Sequence, residues 1–211
     1  TPLTVILANL SILKSRPAAT IQEEMLWIQN TETEARRMQE LTERLLFLAK
    51  ADSKRLSPKI ERLSLSQLTE AAALPFTALA FERGLTLETK LEAELYVKGD
   101  AQALTQLLAI LIDNALKYAK SGSVVTVRLA RQKKQTLLSV HNEGEVIPQD
   151  ALPHLFDRFY RVDKSRARAQ GGYDLGLSIA KTIAHAHGGD IRVESSAEHG
   201  TCFTTTLPLS E

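Results

Sequence analysis

The segment Gly172-Tyr173-Asp174-Leu175-Gly176-Leu177-Ser178-Ile179-Ala180 says most about the fold of this chain. Its two glycines lie in a loop that runs directly into residues with the apolar spacing of a helix. The first turn of a helix carries free backbone N–H groups and a positive partial charge, so the segment favours an anion such as a nucleotide phosphate. Glycines also occur at helix starts for conformational reasons alone, so the pattern needs support from elsewhere in the sequence.

That support comes from further segments in a fixed order: 111–118 (LIDNALKY), 142–148 (NEGEVIP), 155–161 (LFDRFYR) and 200–203 (GTCF). With the glycine loop, they resemble the N, G1, F, G2 and G3 boxes of bacterial sensor histidine kinases. The first residues, Thr1-Pro2-Leu3-Thr4, look like the end of that family's H box. The resemblance covers essentially the whole chain.

Composition sets outer bounds on the function. The chain has 211 residues, which allows one large domain or two small ones. A net charge of +1 and an aromatic content of 5% argue against a partner made of nucleic acid. The single cysteine, Cys202, excludes an intrachain disulfide and is predicted to be a buried structural thiol. No run of about 18 apolar residues is present, so we expect a cytoplasmic piece without membrane contact. The resemblance implies a membrane-anchored parent.

The N-terminal quarter predicts a helical hairpin. Leu3 to Leu13 has helical spacing, Pro17 interrupts it, and Thr20 with Glu23 matches a capping box for a long second helix. That helix carries a stripe with the 3-4-3 spacing of a bundle seam, formed by Met38, Leu41, Leu45 and Leu48. A lone hairpin cannot bury both faces, so we expect a homodimer with a four-helix bundle. The alternative is a hairpin that packs on its own second domain.

Polar residues 53–61, with Pro58, predict a linker between a dimerisation hairpin at 1–52 and an ATP-binding domain at 62–211. In the second domain, helices are predicted at 65–83, with Ser66 as a cap, at 101–120 and at 175–186. Strands are predicted at 85–91, 95–98, 124–129, 136–140, 191–194 and 202–207. The predicted fold class is α+β, with the hairpin followed by a two-layer α/β sandwich that has helices on one face. The resemblance implies the histidine kinase/gyrase-type ATPase class.

Asn114 is predicted to lie mid-helix, where asparagine is a poor helix former, with Lys117 and Tyr118 within one turn. A carboxamide oxygen suits Mg²⁺ and a lysine suits phosphate, although an isolated Asn-x-x-Lys more often marks a solvated helix face. The resemblance implies that Asn114 holds Mg²⁺ and that Lys117 and Tyr118 line the phosphates and ribose. Ile110 stands where many relatives carry a second asparagine.

The G1-like segment directly follows a predicted strand, and a simple turn is an alternative explanation for it. The resemblance implies that this segment binds adenine. Relatives carry aspartate at the position of Asn142 and glycine at that of Val146. A neutral asparagine oxygen still accepts a hydrogen bond from the adenine amino group, although more weakly than a carboxylate does.

Phe156, Phe159 and Tyr160 form an aromatic group, predicted on a short helix after Pro153. For Phe156, packing on the core is an equal alternative. For the neighbouring residues, the resemblance implies the hinge of a lid over ATP, with Arg158 or Arg161 reaching phosphate. The basic stretch 162–171 is either that lid or a plain solvated loop.

Asp174 is the sharpest departure, since relatives read G-x-G-L-G-L in this loop. A carboxylate there repels phosphate, unless Asp174 caps the helix that follows and points away from the ligand.

The resemblance implies a kinase core with ATP and Mg²⁺ as cofactors, which autophosphorylates a histidine and passes the phosphoryl group to the receiver domain of a response regulator. That histidine falls four positions before Thr1, so we expect no autophosphorylation of this chain on it. Thr1 matches a family position that assists dephosphorylation of the partner. The alternatives are a degenerate pseudokinase that binds partners, and a gyrase-type or mismatch-repair ATPase, which the hairpin disfavours. The predicted ATP-binding residues are Asn114, Lys117, Tyr118, Asn142, Gly144, Val146, Ile147, Arg158, Phe159, Tyr160, Arg161, Gly172, Asp174, Leu175, Gly176, Leu177 and Thr201.

Overall fold

The structure is a computed structural model of the chain, and it describes residues 2–53, 58–162 and 175–210. The chain forms two compact units, Thr1–Arg55 and Leu56–Glu211. Within the described parts, no helix combines the length and the apolar character that a bilayer crossing requires.

The first unit is a pair of helices, α1 (Pro2–Ser15) and α2 (Met25–Asp52), which pack against each other. The predicted capping-box bonds form: the Thr20 N–H donates to Glu23 Oε2 at 2.7 Å, and the Glu23 N–H donates to Thr20 Oγ1 at 3.4 Å. They close a turn before the helix, because α2 begins only at Met25. The predicted Thr20–Glu23 bonds therefore form, but they do not cap α2, whose N-cap residue is Glu24 without a side-chain cap bond. The start of the helix was predicted too early.

The second unit alternates strands and helices along the chain. Its elements are β1 (Glu61–Ser64), α3 (Leu65–Glu82), β2 (Thr86–Leu91), β3 (Tyr96–Gly99), α4 (Ala101–Tyr118), β4 (Val124–Gln132), β5 (Gln135–Asn142), a 3₁₀ turn (Leu152–His154), α5 (Gly176–Ala186), β6 (Asp190–Ser196) and β7 (Gly200–Pro208).

Five strands form one sheet in the order β2-β4-β5-β7-β6, and β1 pairs with β3 separately. β2 runs parallel to β4, and the remaining neighbours are antiparallel. Inward residues of the sheet, such as Val127, Val140 and Phe203, are at most 1% exposed, as are Leu107 and Leu111 of α4. The alternation of buried and exposed residues places α3, α4 and α5 on one face, which confirms the predicted two-layer sandwich.

Two local predictions at the start of this unit were wrong. β1 was not predicted, because its four residues (ERLS) carry too little apolar alternation to read as a strand and depend on pairing with β3. Ser66 does not cap α3, since the side chain of Ser64 accepts the Gln67 N–H at 3.3 Å. The Ser66 hydroxyl instead donates to the Glu92 carbonyl at 2.7 Å.

His187 is the C-cap residue of α5. The His187 ring is 8% exposed, with Nδ1 at 2.7 Å from the Ile183 carbonyl and Nε2 at 2.9 Å from the Asp100 N–H. Nε2 therefore accepts a bond from α4, and Nδ1 is placed to donate within α5. The ring thus ties the end of α5 to the start of α4.

Asp100 makes the stability of this unit depend on pH. The N–H groups of Ala103 and Lys59 donate to its carboxylate and hold its pKa below the ordinary value. Because the folded-state pKa is lower than that of the unfolded chain, this contribution is complete above about pH 4 and is lost as the pH falls through the folded value. We expect Asp100→Ala to cost about 1 kcal/mol at pH 7. In urea unfolding, Asp100→Asn should keep most of the cap and weaken the acid dependence; an unchanged acid dependence in Asp100→Asn contradicts this.

Candidate functional site

The end of α4 and the loop after β5 are joined through their backbones. Ala119 and Gly144 form a β-bridge, and the Lys120 N–H donates to the Glu143 carbonyl at 2.7 Å. A Cβ atom on Gly144 would lie 2.2 Å from the Tyr118 carbonyl oxygen. Only glycine permits this approach, so Gly144 is needed to hold the N-box and G1-box segments side by side.

Asn114, Lys117 and Tyr118 all lie in the last turns of α4. The side chains of Asn114 and Lys117 are half-buried, and Tyr118 is 44% exposed. The Lys117 ammonium nitrogen lies 5.1 Å from the centroid of the Tyr118 ring, a distance at which a cation–π attraction acts. This end of the helix therefore offers a carboxamide, a cation and an aromatic ring that solvent can still reach.

The start of α5 packs directly beside α4. A Cβ atom on Gly176 would lie 3.3 Å from Cγ2 of Ile110, one turn before Asn114. Leu175 is fully buried ahead of the first helical residue, and Leu177 is half-buried. Ile110 thus supplies an apolar contact to the helix that carries the end of the glycine loop. The predicted site residues Thr1, Gly172 and Asp174 lie outside the described residues, and so do residues 163–171 of the predicted lid.

A row of buried polar residues crosses β5, β7 and β6, and it lies next to the loop after β5. Asn142 on β5 pairs with Thr201 on β7, which pairs with Ser195 on β6, and these residues are 2%, 5% and 6% exposed. The hydroxyls of Ser195 and Thr201 lie 2.8 Å apart, and the Ile147 N–H donates to Ser195 Oγ at 3.0 Å. Val146, next to Ile147, is 41% exposed.

Ser195 was not predicted from the sequence. A signal was available, because Ile191, Val193 and Ser195 alternate along β6 and a polar residue at an inward strand position calls for a partner. Gly200 belongs to the same arrangement. Its φ is +64°, and a Cβ atom there would lie 2.4 Å from the Asn142 carbonyl oxygen.

The aromatic segment differs from its prediction. The 3₁₀ turn includes Pro153, and the aromatic residues follow it in turns rather than on a helix. The backbone bonds of this segment join residues three apart, as from the Asp157 N–H to the His154 carbonyl at 2.9 Å, which is the pattern of turns and not of an α-helix. Phe156 meets the core residue Phe203 edge-on, with centroids 6.3 Å apart, and the Lys181 ammonium lies 5.4 Å from the Phe156 ring. These contacts support the core-packing interpretation of Phe156.

The residues after Phe156 are more accessible. Phe159 is 58% exposed and has a φ of +64°, which is unusual for a bulky side chain and is found where backbone strain is stored. The Tyr160 ring lies 5.4 Å from that of His154. Arg158 is exposed and Arg161 is half-buried.

Cys202 was predicted to be buried and is half-buried, because it lies on the face of β7 that the helices do not cover. Desolvation, together with the nearby Glu194 carboxylate, raises the pKa of its thiol, and a weak bond to Thr204 at 3.7 Å opposes this. The thiol is therefore protonated near neutral pH, as expected of a structural cysteine. In the parts of the chain that the structure describes, no cluster of three or more His, Cys, Asp or Glu residues could hold a metal.

Comparison with known proteins assigns both units. Residues 1–54 match the His Kinase A (phospho-acceptor) domain, and residues 99–211 match the family described as histidine kinase-, DNA gyrase B-, and HSP90-like ATPase. The chain belongs to the two-component sensor histidine kinases. It is 38% identical over 97% of its length to the sensor histidine kinase YkoH of Bacillus subtilis and 37% identical over 99% to CusS of Escherichia coli.

The chain spans less than half of these histidine kinases, 44% of YkoH and 43% of CusS. The fold agrees with that of the histidine kinase AdeS of Acinetobacter baumannii, with a TM-score of 0.80 at 20% identity over 100% of this chain and 96% of the other. ShkA, whose full-length structure is in complex with AMPPNP, gives a TM-score of 0.78 at 18% identity over 100% of this chain and 46% of ShkA. At these identities, the likeness concerns the fold.

Proposed function

We propose that this histidine kinase core binds Mg·ATP in the unit Leu56–Glu211 and, in its parent protein, transfers the γ-phosphoryl group to a histidine. The observation that carries the proposal is the convergence of separate segments. The Ala119–Gly144 bridge joins the end of α4 to the G1 loop, and Gly176 packs against Ile110 of the same helix. Residues far apart in sequence thus form one polar, accessible edge of the sandwich.

Each group on this edge suits a part of the nucleotide. The Asn114 carboxamide would hold Mg²⁺, which takes few protein ligands when phosphates supply the rest. Lys117 would face phosphate, and Tyr118 the ribose. The loop from Asn142 to Ile147 would receive the base. When bound, the ion would neutralise the charge of the transferring phosphoryl group, while these residues position the nucleotide.

Calorimetric titration with ADP and with a non-hydrolysable ATP analogue, with and without Mg²⁺, tests this proposal. The test uses this chain and Asp174→Gly, which restores the glycine usual in relatives. If both proteins bind, the result supports the site and shows that Asp174 does not oppose nucleotide binding. Binding by the glycine variant alone means an intact site that Asp174 switches off. Absence of binding in both contradicts ATP binding and favours the pseudokinase alternative.

We also propose that the hairpin at 1–52 dimerises, as the His Kinase A match suggests. Its surface supports this, because large apolar side chains lie exposed along both helices; they include Leu3, Leu7, Leu10, Leu26, Leu45 and Leu46, between 40% and 61% exposed. Surface of this kind marks a contact with another protein, and a second hairpin supplies a matching apolar face. The response regulator and the membrane anchor are proposed for the longer parent protein.

Leu45→Glu is expected to convert the dimer into a monomer, because it places a charge in the predicted seam of α2. Sedimentation equilibrium measures the change. Gln39→Glu is the matched control, since Gln39 is an exposed residue of the same helix outside the predicted stripe. If Leu45→Glu remains dimeric at the same concentration, the hairpin does not form the dimer interface.

A further inference from the structure

The outer side of helix α3 carries an exposed apolar stripe. Its four residues have the 3-4-3 spacing that aligns side chains along one side of a helix, and they are Ala71, Leu74, Ala78 and Phe81. Phe81 is 83% exposed, more than any other large apolar side chain that the structure describes, and Leu74 is 72% exposed. An apolar stripe of this kind on a surface helix marks a contact with another protein.

The position of α3 in its own unit does not depend on this stripe. The buried residues of α3 lie on the opposite side of the helix, among them Thr69, Ala72, Ala73 and Ala80, and that side packs on α4 and β2. The four exposed side chains therefore contribute little to the fold, and polar residues at their positions would serve it equally well.

Small and large side chains alternate along the α3 stripe with two-fold symmetry about Phe76. Ala71 and Phe81 each lie five residues from Phe76. Leu74 and Ala78 each lie two residues from it. If a second α3 runs antiparallel across the first, each alanine therefore meets a leucine or a phenylalanine, which is the fit of large into small side chains that packed helices need. A parallel pair would instead set Phe81 against Phe81 and leave a gap between the two Ala71 side chains.

We propose that the α3 stripe binds the α3 stripe of a second copy of this chain, with the two helices antiparallel. Ala71 of one copy then contacts Phe81 of the other, and Leu74 contacts Ala78. The same patch serves both copies, as in any interface with two-fold symmetry. This contact lies on the unit Leu56–Glu211 and is additional to the one proposed for the hairpin.

The borders of the α3 stripe are compatible with this pairing. Glu70 and Thr77 lie exposed on one border, and Pro75 and Glu82 lie exposed on the other. The two-fold axis of an antiparallel pair brings each border against the same border of the second helix. Glu70 of one copy therefore does not face Glu82 of the other, and no like charges meet across the contact.

The size of the contact determines where it forms. Four side chains from each copy bury much less than the roughly 800 Å² per partner that is typical of a stable interface. The contact is therefore weak alone and forms between copies that are already held together. The hairpin dimer supplies this condition, because a linked unit has an effective concentration of about millimolar. In this respect the inference rests on the dimer in the proposed function.

Thiol cross-linking of the whole chain tests the pairing, with Cys202→Ser as background. Ala71→Cys and Phe81→Cys are co-expressed and treated with a short bis-maleimide. We expect the mixed pair to cross-link at least about tenfold faster than either variant alone, because the two copies of residue 71 are separated by about 15 Å along the helix axis in an antiparallel pair. Ala71→Cys mixed with Arg128→Cys is the matched control, since Arg128 is exposed on β4.

An exchange of side-chain sizes tests the fit itself. In the same cysteine variants, Leu74→Ala should slow the cross-linking by roughly three- to tenfold, because it removes most of one apolar contact on each copy. The double variant Leu74→Ala/Ala78→Leu should restore the rate, since it again sets a large side chain against a small one. A rate that stays low in the double variant contradicts the proposed register.

The other outcomes are also decisive. Equal rates in the mixed pair and in the Arg128→Cys control overturn the inference, and faster cross-linking of Ala71→Cys with itself overturns the antiparallel direction. Cysteines that react slowly with a monofunctional maleimide and do not cross-link mean that something other than a second α3 covers the stripe. Sedimentation equilibrium separates the two proposals: a dimer without cross-links overturns only the α3 contact, and a monomer without them overturns the hairpin dimer as well.

Discussion

Gly144→Ala is expected to give the largest loss, because it acts on folding and binding together. The added methyl group would lie 2.2 Å from the Tyr118 carbonyl oxygen, so the loop must move away from the end of α4. The Lys120–Glu143 hydrogen bond and the Ala119–Gly144 bridge depend on that approach. We expect the free energy of unfolding to fall by about 1–3 kcal/mol and the affinity for ADP to fall by about tenfold or more.

Urea unfolding and calorimetry measure the two effects on the same preparation. Glu143→Ala is the matched control, because it changes the exposed side chain of the adjacent residue and leaves the backbone contact in place. If Gly144→Ala retains both stability and ADP affinity, the loop can shift without consequence, and the joining of the two segments is not what forms the site.

Asn114→Ala is expected to remove the effect of Mg²⁺ on nucleotide binding. In the proposed site, its carboxamide is the protein ligand of the ion, while phosphates and waters supply the other positions. The affinity for the ATP analogue in Mg²⁺ should fall by at least about tenfold, as it does for losses around metal sites generally. Binding without Mg²⁺ should change little, because the base and ribose contacts remain.

Asp113→Asn serves as the control for Asn114→Ala, since Asp113 is an exposed neighbour on α4. Titration of both variants with and without Mg²⁺ separates an effect on magnesium binding from an effect on nucleotide binding itself. If Mg²⁺ raises the nucleotide affinity of Asn114→Ala as much as that of the unmodified chain, groups other than Asn114 hold the ion. Equal losses with and without the ion would give Asn114 a structural role.

Most of this fold follows from local patterns in the sequence. α4 and α5 have apolar residues at helical spacing, and β4, β5 and β7 alternate buried and exposed positions over eight or nine residues. Such long periodic segments leave little choice of secondary structure. β1 and the turn before α2 were misjudged because their conformation depends on a partner strand and on local hydrogen bonds.

The sequence was enough to predict which segments form the candidate site, but not which residues in those segments contact one another. Asn114, Lys117 and Asn142 were found through the family resemblance, and the structure places them on two joined segments. The alternation of Ile191, Val193 and Ser195 marks Ser195 as an inward residue, but its pairing with Thr201 depends on strand register, which a single sequence does not show. The role of Gly144 was also hidden, since the sequence does not reveal that the Tyr118 carbonyl oxygen lies against it.

In the proposed function, the end of α4, the G1 loop and the start of α5 form one nucleotide site. Hydrogen exchange with and without Mg·ADP tests it most directly, because it reports on each segment separately. We expect slower exchange on ADP addition in residues 114–120, 143–148 and 175–178, with little change in the helical hairpin. If ADP binds but leaves these three segments unprotected, or protects a different part of the chain, the nucleotide site does not lie at this edge of the sandwich.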